Sequence, residues 1–157
     1  MDLIGKTTIN PILFYSGKIA GYLTWISYFL SIQGRNILIR HDFYYNAYIA
    51  LFIVTVGLFF VFISFINLGR SNRHGLPSEN TILKTHGLYK ISRNPMYLGF
   101  NLLTISAMIY MLNIVIVLLG VYSIVIYHLI IIGEEGFLDK RFGIDYLNYK
   151  KTVRRYI

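Results

Sequence analysis

Four long apolar segments dominate this sequence, and they leave few folds open to it. They run from about Pro11 to Ile32, from Ala47 to Leu68, from Pro95 to about Leu112, and from Ile114 to Gly133. Each approaches the ~20 residues that a helix needs to cross a ~30 Å hydrocarbon core. Inside lipid every backbone N–H and C=O must find a partner within the protein, which selects helices here, since no alternating barrel pattern is present. Of the 157 residues, 55% are hydrophobic and 14% charged, whereas a water-soluble domain is about 25% charged. The expectation is an all-α membrane protein, a single membrane domain over residues 1–157 with about four transmembrane helices. Spans three and four are parted only around Asn113, so they should form a tight helical hairpin.

Lys and Arg set the expected orientation. Arg70, Arg73, Lys84, Lys90 and Arg93 lie between spans two and three. Lys140, Arg141, Lys150, Lys151, Arg154 and Arg155 follow span four, against only Arg35 and Arg40 in the first inter-span loop. Positive residues stay on the cytoplasmic side, which places both termini, a loop over residues 69–94 and a C-terminal segment over 134–157 in the cytoplasm. The net charge of +8 is juxtamembrane, which speaks for lipid headgroups rather than nucleic acid. The start, Met1 to Asn10, lacks the pattern of a cleavable signal peptide. Lys18 interrupts the first span. A lysine there suits snorkelling to the near interface, and a charge facing a pocket is the alternative, with no partner visible in the sequence.

The chemistry gathers in two blocks on the expected cytoplasmic side. Asn94 before Pro95 reads as a helix start, with Asn as the cap and Pro at the first helical position. Such an N-terminus presents free N–H groups, and Arg93 adds a full charge beside it. In the second block Glu134 and Glu135 follow Gly133 directly, two carboxylates that repel unless a cation lies near. Beyond them Leu138, Phe142, Tyr146, Tyr149 and Val153 recur at spacings of four, four, three and four. They give one apolar face to an interfacial amphipathic helix, bent if anywhere at Gly143, which could anchor to the membrane surface or act as a lid. The chain has no cysteine, which removes thiolate nucleophiles, and His74, His86 and His128 have no spacing suited to a metal. His128, inside the fourth span, is either a functional or a hydrogen-bonded structural residue.

The first block is Gly87-x-Tyr89-x-x-x-Arg93-Asn94-Pro95-Met96-Tyr97-x-Gly99, preceded by Thr81-Ile82-Leu83-Lys84-Thr85. The second is Glu134-Glu135-x-x-Leu138-x-x-x-Phe142-Gly143-x-x-Tyr146-x-x-Tyr149. The pair, flanking one helical hairpin, resembles the isoprenylcysteine carboxyl methyltransferase and phospholipid methyltransferase group of membrane enzymes over residues 68 to 155. The resemblance implies S-adenosylmethionine as cofactor. It assigns cofactor contacts to Thr81, Ile82, Leu83, Lys84, Gly87, Tyr89, Asn94, Pro95, Met96, Tyr97, Glu134 and Glu135, and catalytic roles to Arg93, Tyr97 and Glu135. Catalysis would rest on in-line positioning in a water-poor pocket, with no metal. The acceptor would be a lipophilic, membrane-associated molecule bearing a carboxylate, a thiol or a lipid headgroup.

Two departures from the group stand out. Asn94 occupies a position where many members have His. Tyr127 to Ile130 hold no Arg where prenylcysteine methyltransferases have one, which argues against a prenylcysteine substrate. The alternatives are a membrane reductase of the sterol type, which shares an Arg-x-Pro-x-Tyr pattern and would bind NADPH, and a non-catalytic membrane scaffold.

Overall fold

A computed structural model describes residues 7–35, 38, 39, 41, 45–68 and 82–157. Among these residues the chain forms five α-helices and one short 3-10 turn, with no strand. The helices are α1 (Pro11–Ile32), α2 (Asn46–Leu68), α3 (Pro95–Met111), α4 (Ile114–Phe142) and α5 (Ile144–Thr152), with the 3-10 turn at Gly87–Lys90 before α3. The all-helical expectation holds.

Local chemistry sets several of the boundaries. Asn10 caps α1 by accepting from the Ile12 N–H at 2.9 Å, with Pro11 at the first helical position. Asn113 caps α4 in the same way through the Val115 N–H at 3.0 Å. Between α3 and α4 only Leu112 and Asn113 remain, and Leu112 takes a left-handed conformation (φ 45°) to reverse the chain. The expected tight hairpin is therefore two residues long. Met111 O and Asn113 Nδ2 also bind the first inter-helix loop, at the His41 N–H and Ile39 O.

The helices pack antiparallel in a small bundle. Gly57 on α2 meets Gly99 on α3 so closely that a Cβ on Gly99 would lie 2.8 Å from the Gly57 carbonyl oxygen. Ser106 donates to the Ala50 carbonyl at 2.8 Å further along the same seam. Across the other face Gly17 and Gly21 of α1 admit Ile126 and Ser123 of α4. Small residues thus fill the seams, while bulky ones such as Phe52 (72% exposed), Phe62 (66%) and Leu118 (63%) cover the outside. Backbones brought together by small residues, under a coat of exposed large apolar side chains, are what lipid rather than water selects.

By length and apolarity α2 and α4 can each cross a membrane. Only 17% and 39% of their apolar windows are buried, which separates them from the core helices of a soluble protein. The other two expected spans fall short on that measure. At 22 residues α1 is long enough, but Lys18 and its polar neighbours dilute it, and α3 has 17 residues. An open apolar groove along the outside of α2, lined by Thr55, Leu58, Phe59 and Phe62, belongs to this lipid-like surface.

The chain departs from expectation beyond Gly133. That glycine does not end α4; it lets Thr8 approach, whose Cβ would lie 2.7 Å from an added Cβ. The nine residues after it include Gly136 but no proline, and the helix runs on to Phe142. Gly143 stops it in a conformation (φ 53°, ψ −122°) open to little but glycine, and α5 follows as a separate helix. The apolar face foreseen along this stretch is real but covered by the protein itself: Tyr146, Tyr149 and Val153 are buried against Leu83, Leu138 and Phe142.

Candidate functional site

At one end of the bundle the start of α3, the second half of α4, α5 and the segment after it converge. The residues before α3 are fixed by this segment rather than by their own helix. Arg93 N–H donates to the Arg154 carbonyl at 3.0 Å, and Ser92 Oγ donates to the Arg155 carbonyl at 3.2 Å. The Arg93 guanidinium donates through all three of its nitrogens. Nε and Nη2 grip the Glu135 carboxylate at 3.1 to 3.2 Å. Nη1 reaches the carbonyls of Val153 (2.9 Å) and Lys150 (3.3 Å).

Arg155 closes on Glu135 from the other side at 2.9 and 3.1 Å. The Asn94 amide adds a bond to Glu135 Oε1 at 3.0 Å. Burial alone would raise the Glu135 pKa. The hydrogen bonds from Arg155, then the charge and hydrogen bonds of Arg93 and the Asn94 amide, outweigh it and hold the carboxyl below its ordinary value.

Asn94 therefore does not cap α3 with its side chain, as its position before Pro95 suggested. Its amide donates to Glu135 and, at 3.4 Å, to the Arg155 carbonyl, and no side-chain bond reaches the first helical turn. Pro95 does occupy the first position of α3. A buried carboxylate is a stronger magnet for the amide than a backbone N–H is for its oxygen.

Glu134, one residue earlier and about 100° round the helix, faces a different environment. Among the described residues its carboxylate accepts one hydrogen bond, from the Tyr97 hydroxyl at 2.7 Å, and no cation lies within ion-pair distance of it. Around it Tyr97 packs with Phe14, Phe100 and Tyr127. Burial raises the Glu134 pKa to about 7, against the opposing effects of the Tyr97 bond and the charge of Lys18. Tyr89 is close enough for Glu134 to act on its hydroxyl, whose pKa is raised first by burial and then by Tyr149 and Glu134. One carboxylate is thus locked by three side chains, and its neighbour accepts a single side-chain hydrogen bond among the described residues.

Not every foreseen residue comes to this place. Leu83 packs beneath α5, the Tyr149 hydroxyl donates to the Tyr89 carbonyl, and Gly87 (φ 61°) lies so close to the Asn67 amide that a Cβ there would meet it at 2.2 Å. Lys84 and Met96 are half-buried with no polar contact to the glutamates, and Ile82 is 70% exposed. Thr81 and His74 lie outside the described residues. His128 has a structural partner: its Nδ1 shares a 2.7 Å hydrogen bond with the Tyr156 hydroxyl, and the two rings stack.

One site residue was missed in the sequence, and for another only the alternative reading pointed to the site. Arg155 looked like any other residue of a basic tail. Lys18 was noticed as a charge within an apolar span, and the structure supplies what the sequence could not, a position over the Phe14 ring at 4.1 Å with its field on Glu134.

An all-helical bundle with a lipid-like exterior and polar groups gathered at one end defines a membrane protein with an interfacial site. Residues 45–145 match the phospholipid methyltransferase family. The chain is also similar to protein-S-isoprenylcysteine O-methyltransferase A of Arabidopsis thaliana, 30% identical over 109 residues, which are 66% of this chain and 54% of the relative. It thus spans about half the length of that curated relative. The chain belongs to the phospholipid methyltransferase family.

Proposed function

We propose that this protein transfers a methyl group from S-adenosylmethionine to a lipophilic acceptor, in a pocket bordered by Glu134, Tyr97 and Tyr89 on the cytoplasmic side of its membrane. The observation that carries the reading is the division of labour between the glutamates. Glu135 is saturated by Arg93, Arg155 and Asn94, whereas Glu134 is half-buried and, among the described residues, has one hydrogen bond to its carboxylate and no ion pair. A carboxylate drawn partly out of water without a counter-charge is costly, and a cationic ligand resolves that cost.

The groups present fit such a ligand. Glu134 would complement its positive charge, and the rings of Tyr89 and Tyr97 would offer it their faces. The start of α3, where the Asn94 side chain is turned elsewhere, leaves first-turn N–H groups for a carboxylate. The stretch from Thr81 to Tyr89, with Ile82, Leu83, Lys84 and Gly87, would hold the nucleoside by backbone contacts, and Pro95 and Met96 would border it. When bound, S-adenosylmethionine supplies a methyl carbon already activated by a sulfonium.

The protein's own part is to orient and to exclude water. Tyr97 holds Glu134 in one rotamer. Arg93 and Glu135 act as positioning residues by pinning the C-terminal segment across the start of α3. In this reading α1 and α3 cross the membrane together with α2 and α4, and the Lys and Arg distribution puts the site and both termini in the cytoplasm.

The test is calorimetric titration of detergent-solubilised protein with S-adenosylmethionine and S-adenosylhomocysteine, with NADPH as comparison. Micromolar binding of the sulfur nucleosides and none of NADPH is expected. Selective NADPH binding would overturn the reading.

A further inference from the structure

Lys18 is a charged residue from a helix outside the segment that matches the family, since α1 ends at Ile32 and the match begins at residue 45. The fold nevertheless carries it to the site. Because α1 runs antiparallel to α4, with Thr8 beside Gly133 and Gly17 beside Ile126, the Lys18 side chain reaches back along α1 toward the level of Glu134. Its ammonium rests over the Phe14 ring, and Phe14 belongs to the same apolar cluster as Tyr97 and Phe100. Among the described residues no carboxylate lies within ion-pair distance of it.

An ammonium held over an aromatic ring at the edge of an apolar bundle is expensive unless an anion comes to it. Glu134 acts on it from beyond ion-pair range, and that carboxylate is engaged by Tyr97. Along α1 the face of Lys18 continues two turns on to Trp25, which packs against Phe100 and Tyr22. Lys18 and Trp25 are half-buried and Tyr22 is 49% exposed, so this seam is open to lipid.

We propose that Lys18 is a specificity-determining residue that selects a methyl acceptor with a negatively charged headgroup, whose chain lies along the Tyr22–Trp25 seam. This rests on the methyltransferase reading for the fate of the ligand, though not for its binding. The two charges of the site then divide between the reactants, Glu134 toward the cationic one and Lys18 toward the anionic one. Bringing a cation to Glu134 offsets the one carboxylate among the described residues that acts on Lys18, so each ligand favours the other.

Trp25 is the single tryptophan of the chain and serves as the reporter. Dibrominated octadecanoate, octadecyl phosphate and octadecanol would be titrated into parent, Lys18→Met, Lys18→Gln and Lys18→Arg proteins in neutral detergent, following quenching of Trp25. The parent should bind one or both anions about tenfold or more tightly than the alcohol. Lys18→Met and Lys18→Gln should lose that preference, and Lys18→Arg should keep it. Preference for the carboxylate or for the phosphate identifies the headgroup.

An equal response of the parent to anions and alcohol overturns the proposal, as does an undiminished preference in whichever of the two neutral variants keeps the parental melting temperature. Calorimetry with S-adenosylhomocysteine on the same parent sample keeps the two questions apart. Its failure there would remove the methyltransferase reading and leave the Lys18-dependent anion preference standing.

Discussion

Glu134 and Glu135 look interchangeable in the sequence, and their surroundings make them opposites. Exchanging Glu135 for Gln leaves Arg93 and Arg155 facing each other without their common anion, a loss that breaking a buried ion pair puts at roughly 3–5 kcal/mol, less here because Arg155 is partly exposed. Glu135→Gln should therefore lower the melting temperature in detergent sharply. Glu134→Gln should leave it near the parental value, because it removes a half-buried charge that has no ion pair among the described residues, while S-adenosylmethionine binding falls at least about tenfold. Equal effects of the two substitutions on both measurements would contradict the division. The Glu134 pKa of about 7 adds a pH dependence. The carboxyl is neutral below that value and anionic above it, so affinity for the cationic ligand should rise as pH increases through about 7. Below it, binding should release a proton, detectable by calorimetry in buffers of different ionisation enthalpy. The acidic pair itself was legible in the sequence. Which member does what was not, because the distinction depends on Arg155, brought back from twenty positions away by the turn at Gly143.

Each helix was legible to the extent that its signal was local. Apolar length located α1 to α4, and Pro95 marked the start of α3, since both depend on neighbours in the chain. The end of α4 was misjudged because Gly133 and Gly143 are the same residue type with different tasks: one makes room for Thr8, and the other turns the backbone. The contrast gives two predictions. At Gly99, on the α2–α3 seam, an alanine Cβ would sit 2.6 Å from Val61 Cγ2 and 2.8 Å from the Gly57 oxygen. Gly99→Ala should therefore cost about 1–3 kcal/mol by overpacking, read as a lower melting temperature, and should weaken ligand binding by shifting Tyr97. At Gly143 there is open space but a positive φ. Gly143→Ala should cost roughly 1–3 kcal/mol in backbone strain and loosen the Arg155–Glu135 contact. Faster hydrogen exchange in residues 144–156 than in α4 is the expected signature.

The whole molecule has two unlike ends. At one, the first inter-helix loop is tied to the α3–α4 turn by Met111 and Asn113; at the other, the loop before α3, the glutamates and the C-terminal segment meet. Since the chain has no cysteine, single replacements at two exposed positions, Ile39→Cys and Ile82→Cys, can be labelled cleanly in intact cells. An impermeant thiol reagent should modify position 39 and spare position 82, and the reverse pattern would invert the proposed topology. The bond between Glu135 and Arg155 has a further consequence, for biogenesis. Ribosomes make α1, α3 and α4 before they make residue 155, so the bilayer can receive the helices while the binding site is still unfinished. Assembly then ends in the aqueous phase, when a water-exposed segment folds back over helices already in place. A nascent chain arrested before that step would hold its helices in the membrane and yet be unable to take up the proposed nucleoside.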